Sequence, residues 1–226
     1  MSKESKFSNQ FHLEQRYYLK QLDLVDWYRY YFIIQEVIDF KPTHILEIGA
    51  GSGMVKNCLQ PMVKQYTVMD INPKLKPDIL SDLREFKPEL KGKFNCVICA
   101  EVLEHMPFDN FEKNLTNIYD YLAEDGKVLI TLHQRRARLM IITQLSYQKP
   151  LVITLPSWLK SGPKSFYKQF IKRKIWIDPY HCWEIGDGKV KRRDVERLFK
   201  KVGFKVDKFK KLLHADFWTL NKHYGL

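Results

Sequence analysis

Three glycines at alternate positions, Gly49, Gly51 and Gly53, directly follow the apolar run "ILEI" of residues 45–48, and acids stand at Glu47, Asp70 and Asp82. A loop with so little side chain lets the backbone turn sharply and approach a ligand, while N–H groups opening the next helix remain able to donate. Further along, Glu101, Glu104 and His105 form the pattern E-x-x-E-H, and two more histidines, His133 and His181, fall in "TLH" and "DPYHCWEIG". Imidazole suits proton transfer near neutral pH, so His181, His133 and His105 are the candidates for a catalytic base, with His181 leading because Trp183 and Glu184 beside it could wall a substrate and orient the ring. An acid followed by Glu and His at i+3 and i+4 can also converge on a cation, which makes Glu101, Glu104 and His105 possible metal ligands with His133 as a fourth. Each of these residues also has a structural reading, as a hydrogen-bonding partner or a favourable helix start.

The elements that would position these residues alternate. After an N-terminal stretch of one or two helices with aromatic and apolar residues at helical spacing, "THILEIG" reads as a buried strand, "GMVKNCLQPMV" as a helix, and "YTVMDI" and "PDILS" as strands. "FNCVICA" is a strand, "FEKNLTNIYDYL" a helix and "GKVLITLH" a strand; this alternation predicts a parallel sheet with helices on both faces. "RRDVERLFKKV" has Val195, Leu198, Phe199 and Val202 on one helical face and ends at Gly203, and "FKVDKFKKL" and "ADFWTLN" follow as antiparallel strands. Cys96 and Cys99 are spaced C-x-x-C inside an apolar strand, where residues three apart point to opposite faces, so no shared metal or redox role is expected. In an open parallel sheet the ligand sits beyond the carboxyl ends of the strands, where the glycine loop and both strand-end histidines fall.

A dinucleotide would ask for G-x-G-x-x-G, but the residue after Gly53 is Met54, and the spacing is G-x-G-x-G. With "EIGAGSG", the acid ending "YTVMD", "LSDL", "CAEVLEHM" and "LAEDGKVLITLH" in that order, the chain resembles the class I S-adenosylmethionine-dependent methyltransferases across residues 45–133 and again over 191–221. The resemblance implies a doubly wound α/β fold, one seven-stranded sheet in the order 3-2-1-4-5-7-6 with the last strand antiparallel. It implies S-adenosylmethionine as cofactor and S-adenosylhomocysteine as product, held at Glu47, Gly49, Ala50, Gly51, Ser52, Gly53, Asp70, Ile71, Asp82, Leu83, Ala100 and Glu101. In that reading Asp70 binds both ribose hydroxyls, for which two acceptor oxygens are suited, and Asp82 lies near the adenine amino group. Asn95 departs from the acid that the family often carries there, at a position read as structural. The E-x-x-E-H pattern is similar to that of metal-assisted small-RNA 2′-O-methyltransferases and ubiquinone-pathway O-methyltransferases, although many relatives carry it with no metal. "HCWEIG" looks like a segment of bacterial methyltransferases of surface-glycan or lipid-linked sugar modification.

The 226 residues carry a formal charge of +12, and its source is local. Between Gln134 and Trp176 lie ten Lys and Arg and no Asp or Glu; the rest of the chain holds 28 basic residues against 26 acidic ones. The expected organisation is a single methyltransferase domain with N-terminal helices over 1–41, a cofactor-binding core over 42–133, a basic and aromatic insertion over 134–190 and a C-terminal helix and two strands over 191–226. The insertion reads as a lid over the acceptor site, as a contact with an anionic membrane, or as a phosphate track for nucleic acid. An anionic acceptor is favoured, either a glycan or lipid-linked molecule or a small metabolite. RNA stands second, and a non-catalytic S-adenosylmethionine-binding protein is a further reading. "MSKESKFSNQ" is polar with no apolar run behind it, and "LMIITQLSYQKPLVITLP" is interrupted by Gln144, Gln148, Lys149 and Pro150, so a cytoplasmic protein with possible membrane association is expected.

Overall fold

The computed structural model of the chain describes residues 12–134, 138–146, 149–156, 180–212 and 215–222. Seven strands form one sheet: β1 His44–Ile48, β2 Gln65–Asp70, β3 Ile79–Leu80, β4 Phe94–Ala100, β5 Leu122–His133, β8 Phe204–Lys211 and β9 Ala215–Lys222. Their spatial order is β3-β2-β1-β4-β5-β9-β8, with β3, β2, β1, β4 and β5 mutually parallel and β9 antiparallel to both β5 and β8. Setting aside β6 Arg138–Ser146 and β7 Lys149–Pro156, which form a separate two-stranded antiparallel hairpin, this is the expected 3-2-1-4-5-7-6 order. The sequence marked that hairpin only as part of the insertion. The remainder of the basic run, 157–179, lies outside the described residues, and with it most of the expected lid.

Helices α1 Gln15–Gln21, α2 Leu24–Phe40, α3 Met54–Leu59, α4 Phe111–Tyr121 and α5 Arg192–Val202 cover the sheet. One core layer sets Leu115 and Ile118 of α4 and Val195 and Phe199 of α5 against Leu46, Val97, Cys99, Val128 and Trp218. The other sets Ile33 and Val37 of α2 and Val55 and Leu59 of α3 against Ile45, Val68, Cys96, Ile98 and Phe217. Cys96 and Cys99 thus bury into opposite layers, as the alternation of a strand requires. Burial lifts the Cys96 thiol to about 12, and both cysteines are packing groups. Asn95 ties β4 to β1: its Oδ1 accepts from the Thr43 hydroxyl at 2.6 Å and from the backbone N–H of His44 at 3.1 Å. An acceptor at that corner serves register, not the ligand.

Three boundaries differ from the sequence reading, each for a local reason. The helix after the glycine loop stops at Leu59 and continues as a single 3-10 turn, because Pro61 has no N–H to extend the ladder. The strand leading to His133 begins at Leu122, and the register slips between Phe94 and Cys96 to accommodate the extra residues. The N-terminal helical stretch breaks at Asp23, whose carboxylate accepts from Val25 and Asp26 while the Asp26 side chain accepts from the Asp23 N–H. That reciprocal cap restarts the chain as α2 in a new direction.

Trp218 is buried in the centre of the α4/α5 layer, with ring centroids 5.5 Å from Phe199 and 5.3 Å from Phe209. Trp218→Ala is expected to cost about 3–5 kcal/mol. Urea unfolding checks this as a lower midpoint at unchanged slope.

Candidate functional site

A cleft of about 670 Å³ opens over the carboxyl ends of β1, β2 and β4. Gly49, Gly51 and Gly53 have φ of 75°, 47° and 73°, backbone that side chains rarely adopt. A Cβ on Gly49 would sit 2.4 Å from Val102 Cγ2, so the loop lies against the end of β4 only because no side chain separates them. The N–H of Gly49 donates to the Met69 carbonyl, which pins the loop's start beside the end of β2.

Asp70, at that strand end, accepts from the Asn72 N–H at 2.8 Å. Burial raises its carboxyl above the ordinary range, against hydrogen bonds from the backbone of Asn72, Ala50 and Ile71. A carboxylate has about four acceptor positions, so the three backbone N–H groups leave about one open to a ligand hydroxyl. Glu47 lies deeper: burial lifts it to about 7 although the Tyr66 hydroxyl donates to it at 2.8 Å. Asp82 is engaged by Arg84, whose guanidinium donates to both carboxylate oxygens. Any role of Asp82 toward an adenine amino group is therefore shared with a cation that the sequence reading did not single out. Ala50, Ser52, Ile71, Leu83 and Ala100 also line the cleft, whereas Gly53 does not.

The side of the cleft that sequence reasoning missed is N-terminal. Gln15 of α1 donates its amide to the Ser52 carbonyl at 2.9 Å, the Leu13 carbonyl accepts from the Asn72 side chain at 2.7 Å, and Tyr30 and Ser52 share a hydroxyl contact at 3.0 Å. The Tyr18 ring lies 3.6 Å from where a Cβ on Gly51 would be. Thus α1 covers the glycine loop.

Beyond the glycine loop, the three candidate histidines come together. The ring centroid of His181 lies 4.9 Å from that of His105 and 4.9 Å from that of His133. His105 and His181 line the cleft, and His133 stands behind them. Each Nδ1 has a fixed partner: Glu101 for His133 at 3.2 Å, Glu184 for His181 at 2.9 Å and the Tyr180 carbonyl for His105 at 3.0 Å. The segment carrying His181 is anchored by Trp183, whose indole N–H donates to the Met106 carbonyl and whose ring packs on Phe108 and Phe111. It is also tied by the Cys182 N–H to the Glu104 carbonyl and the Ile185 N–H to the His133 carbonyl.

The charges of this cluster are set by one another. Burial raises Glu101, but Arg29 of α2 at 3.7 Å and the His133 ring hold it down to about 2. Burial and the neighbouring Glu101 charge lift Glu104 to about 7. Burial lowers His133, but its bond to Glu101 raises it to about 9; burial also lowers His181, but the bond to Glu184 and the nearby Glu104 and Glu101 carboxyls together raise it above the ordinary histidine value. Glu101 also has φ of 55°, a strained backbone for a residue with a side chain. His133, His181 and Glu184 each place a ligand atom within 4.8 Å of the other two, the spacing of a cation site. Among the described residues Glu101, Glu104 and His105 are not gathered at that spacing. The E-x-x-E-H carboxylates serve instead to bind Arg29 and the His133 backbone and ring.

A family profile described as a methyltransferase domain matches residues 28–208. A search of curated proteins returns no match. Among solved structures, the chain is similar to the N-methyltransferase NodS from Bradyrhizobium japonicum WM9 in complex with S-adenosyl-L-homocysteine, at 11% identity and a TM-score of 0.64 over 98% of this chain and 99% of that one. It is similar to an S-adenosylmethionine-dependent methyltransferase from Clostridium acetobutylicum ATCC 824 at 12% identity and 0.58, covering 91% and 94% of the two chains. The 1,6-didemethyltoxoflavin-N1-methyltransferase of Burkholderia thailandensis, with its substrate and S-adenosylhomocysteine bound, gives 13% and 0.56 over 87% and 77%. At such identities these likenesses speak for the fold.

The cluster makes stability depend on pH. His133 stabilises the fold fully below its ordinary 6.5 and loses that contribution as pH rises through about 9. Glu101 contributes above its ordinary 4.5 and loses it as pH falls through about 2, so both act together between about 4.5 and 6.5. Glu101→Gln is expected to lower stability near pH 6 by roughly 1–3 kcal/mol, and to shrink the loss between pH 6 and pH 10. Urea unfolding across that range measures both.

Proposed function

The chain belongs to the methyltransferase domain family, and on that premise we propose that it moves the methyl group of S-adenosylmethionine to a hydroxyl of a glycan, lipid-linked or small-metabolite acceptor, with His181 as the base. It is an S-adenosylmethionine-dependent methyltransferase. When bound, the cofactor supplies an electrophilic methyl group on a sulfonium. The chain's task is to hold the two reactants in line and keep water out, which is worth up to roughly 7–11 kcal/mol in favourable cases.

The left-handed glycine loop would bring backbone against the cofactor and Asp70 would accept from a ribose hydroxyl, while α1 covers the loop. This fit rests on the geometry of Gly49, where even a methyl group would strike Val102. Arg29 and Glu101 extend the wall towards the histidines. On the acceptor side the observation that carries the reading is the Glu184–His181 bond in the cleft wall. With Nδ1 committed to Glu184, the imidazole keeps one tautomer and orientation, and its other nitrogen can take the proton of an acceptor hydroxyl as the oxygen attacks. His133 stays protonated near neutrality and balances Glu101, which leaves proton acceptance to His181. The likeness of "HCWEIG" to glycan and lipid-linked sugar methyltransferases supports the acceptor class.

A methyl-transfer screen with labelled cofactor against glycan, lipid-linked, small-metabolite and RNA fractions tests the acceptor. Transfer to RNA alone would sink this reading. Asp70→Ala is expected to weaken cofactor binding about 10- to 100-fold by calorimetry. His181→Ala should leave that affinity intact and lower kcat by about 10²- to 10⁴-fold. Because Glu184 raises the His181 pKa and the base must be neutral, Glu184→Gln should move the rising limb of the pH–rate profile to lower pH. Activity should survive a chelator; a loss restored by a divalent ion would make His133, His181 and Glu184 metal ligands and not a proton relay.

A further inference from the structure

Helix α2 buries Ile33 and Val37 in the core, yet it carries a second apolar stripe on the outside. Leu24, Trp27, Tyr31 and Ile38, spaced by three, four and seven residues, are exposed to 66%, 47%, 51% and 38%. Residues at that spacing share one side of a helix. Leu19 of α1 is exposed as well, with Arg16 and Lys20 exposed beside it. Half of the large exposed hydrophobic side chains of the described residues thus lie between positions 17 and 38. A helix apolar on opposite sides is normally buried, and an exposed apolar patch marks an interaction surface.

The stripe is bordered by charge of one sign. Lys205, Lys208, Lys210 and Lys211 are exposed on the edge strand β8, with Asp207 the single acid among them. Contacts set this edge beside α2: Lys208 pairs with Glu36 at 2.9 Å, and the Lys210 ammonium lies over the Phe32 ring. Of the acids near the stripe, Asp23 directs its carboxylate to the N–H groups of Val25 and Asp26, Glu36 is paired with Lys208, and Asp39 adjoins Ile38 at the far end. Indole and phenol rings with leucine between them, flanked by lysines, match the layered chemistry of a bilayer surface, where aromatic rings settle at the headgroup level and lysines meet anionic phosphates. Among the described residues no helix is long and apolar enough to cross a membrane, so the contact is peripheral.

We propose that the outward face of α2, with the tip of α1 and the lysine edge of β8, seats the protein on an anionic lipid surface. The inward sides of α1 and α2 line the cleft through Tyr17, Tyr18, Asp26, Arg29 and Tyr30, so the docked molecule holds its cleft close to the headgroups. The inference is independent of the acceptor and of the base.

Flotation of the full chain with phosphatidylcholine vesicles, with and without phosphatidylserine, tests it. Binding should require the anionic lipid and weaken with salt. The double variant Leu24→Ser, Tyr31→Ser should partition about tenfold less or weaker still, and Lys208→Gln with Lys210→Gln roughly fivefold less per lysine at low salt. Both should keep wild-type cofactor affinity, which checks that they fold, since none of the four residues lines the cleft. Absence of binding to anionic vesicles, or equal binding by the Leu24/Tyr31 variant, would overturn the proposal. So would a concentration-dependent dimer in sedimentation that the Leu24/Tyr31 variant abolishes, because the occupant would then be a second copy.

Discussion

A carboxylate at the end of β4 has to be charged where water scarcely reaches it, and most of the site is arranged around that requirement. Glu101 leaves the strand in left-handed backbone and meets Arg29 from α2 on one side and the His133 ring from β5 on the other. Removing either cation would leave the buried charge only partly compensated, at a cost greater than the pair's net stabilisation. The N-terminal helices are therefore tied to the strand ends by charge as well as by packing. The local strain persists because three elements fix it from outside.

From that point the two halves of the cleft use different chemistry. The cofactor half is built mostly of backbone: left-handed glycines, N–H groups that satisfy Asp70, and a helix laid across the loop. The acceptor half is built of ionisable side chains in contact, where each histidine has its Nδ1 fixed by an acceptor and each proton affinity is set by the next group. Backbone contact suits a ligand whose shape never varies. On the proposed reading, side chains there can be exchanged to suit an acceptor without disturbing the loop.

The cofactor half was legible in sequence because its signals are local. Three alternating glycines, the acids ending successive strands and the order of elements all follow from short stretches, and the antiparallel insertion of β9 came with the family resemblance. The convergence of His105, His133 and His181 was partly legible, since two of them follow strands that end at the same edge. Glu184 was legible too, as the group beside His181 that could orient its ring; the other partners were harder. Arg29 and Tyr18 read as ordinary members of a helical pattern, because periodicity says that a side faces inward without saying what it meets. The E-x-x-E-H pattern suggested a cation, but the chain turns so that its carboxylates meet Arg29 and His133. The cap at Asp23 was overlooked because an aromatic-rich helical pattern ran across it. The hairpin of β6 and β7 was hidden by polar residues that break an apolar run, although such breaks are as natural at the turn of a ribbon as in a loop.

The seat of β9 between β5 and β8 bears on how the chain is made. Strand β8 is synthesised before β9, yet it has no place in the sheet until β9 has paired with β5. A nascent chain therefore emerges with β5, the strand bearing His133, as an open edge, and with Phe199 and the bulk of α5 lacking the Trp218 surface they cover. Those contacts join residues far apart in sequence and are slow to form. The interval between emergence of β5 and release of β9 is thus when the protein is most open to wrong pairing, and when a chaperone or an early partner would find it.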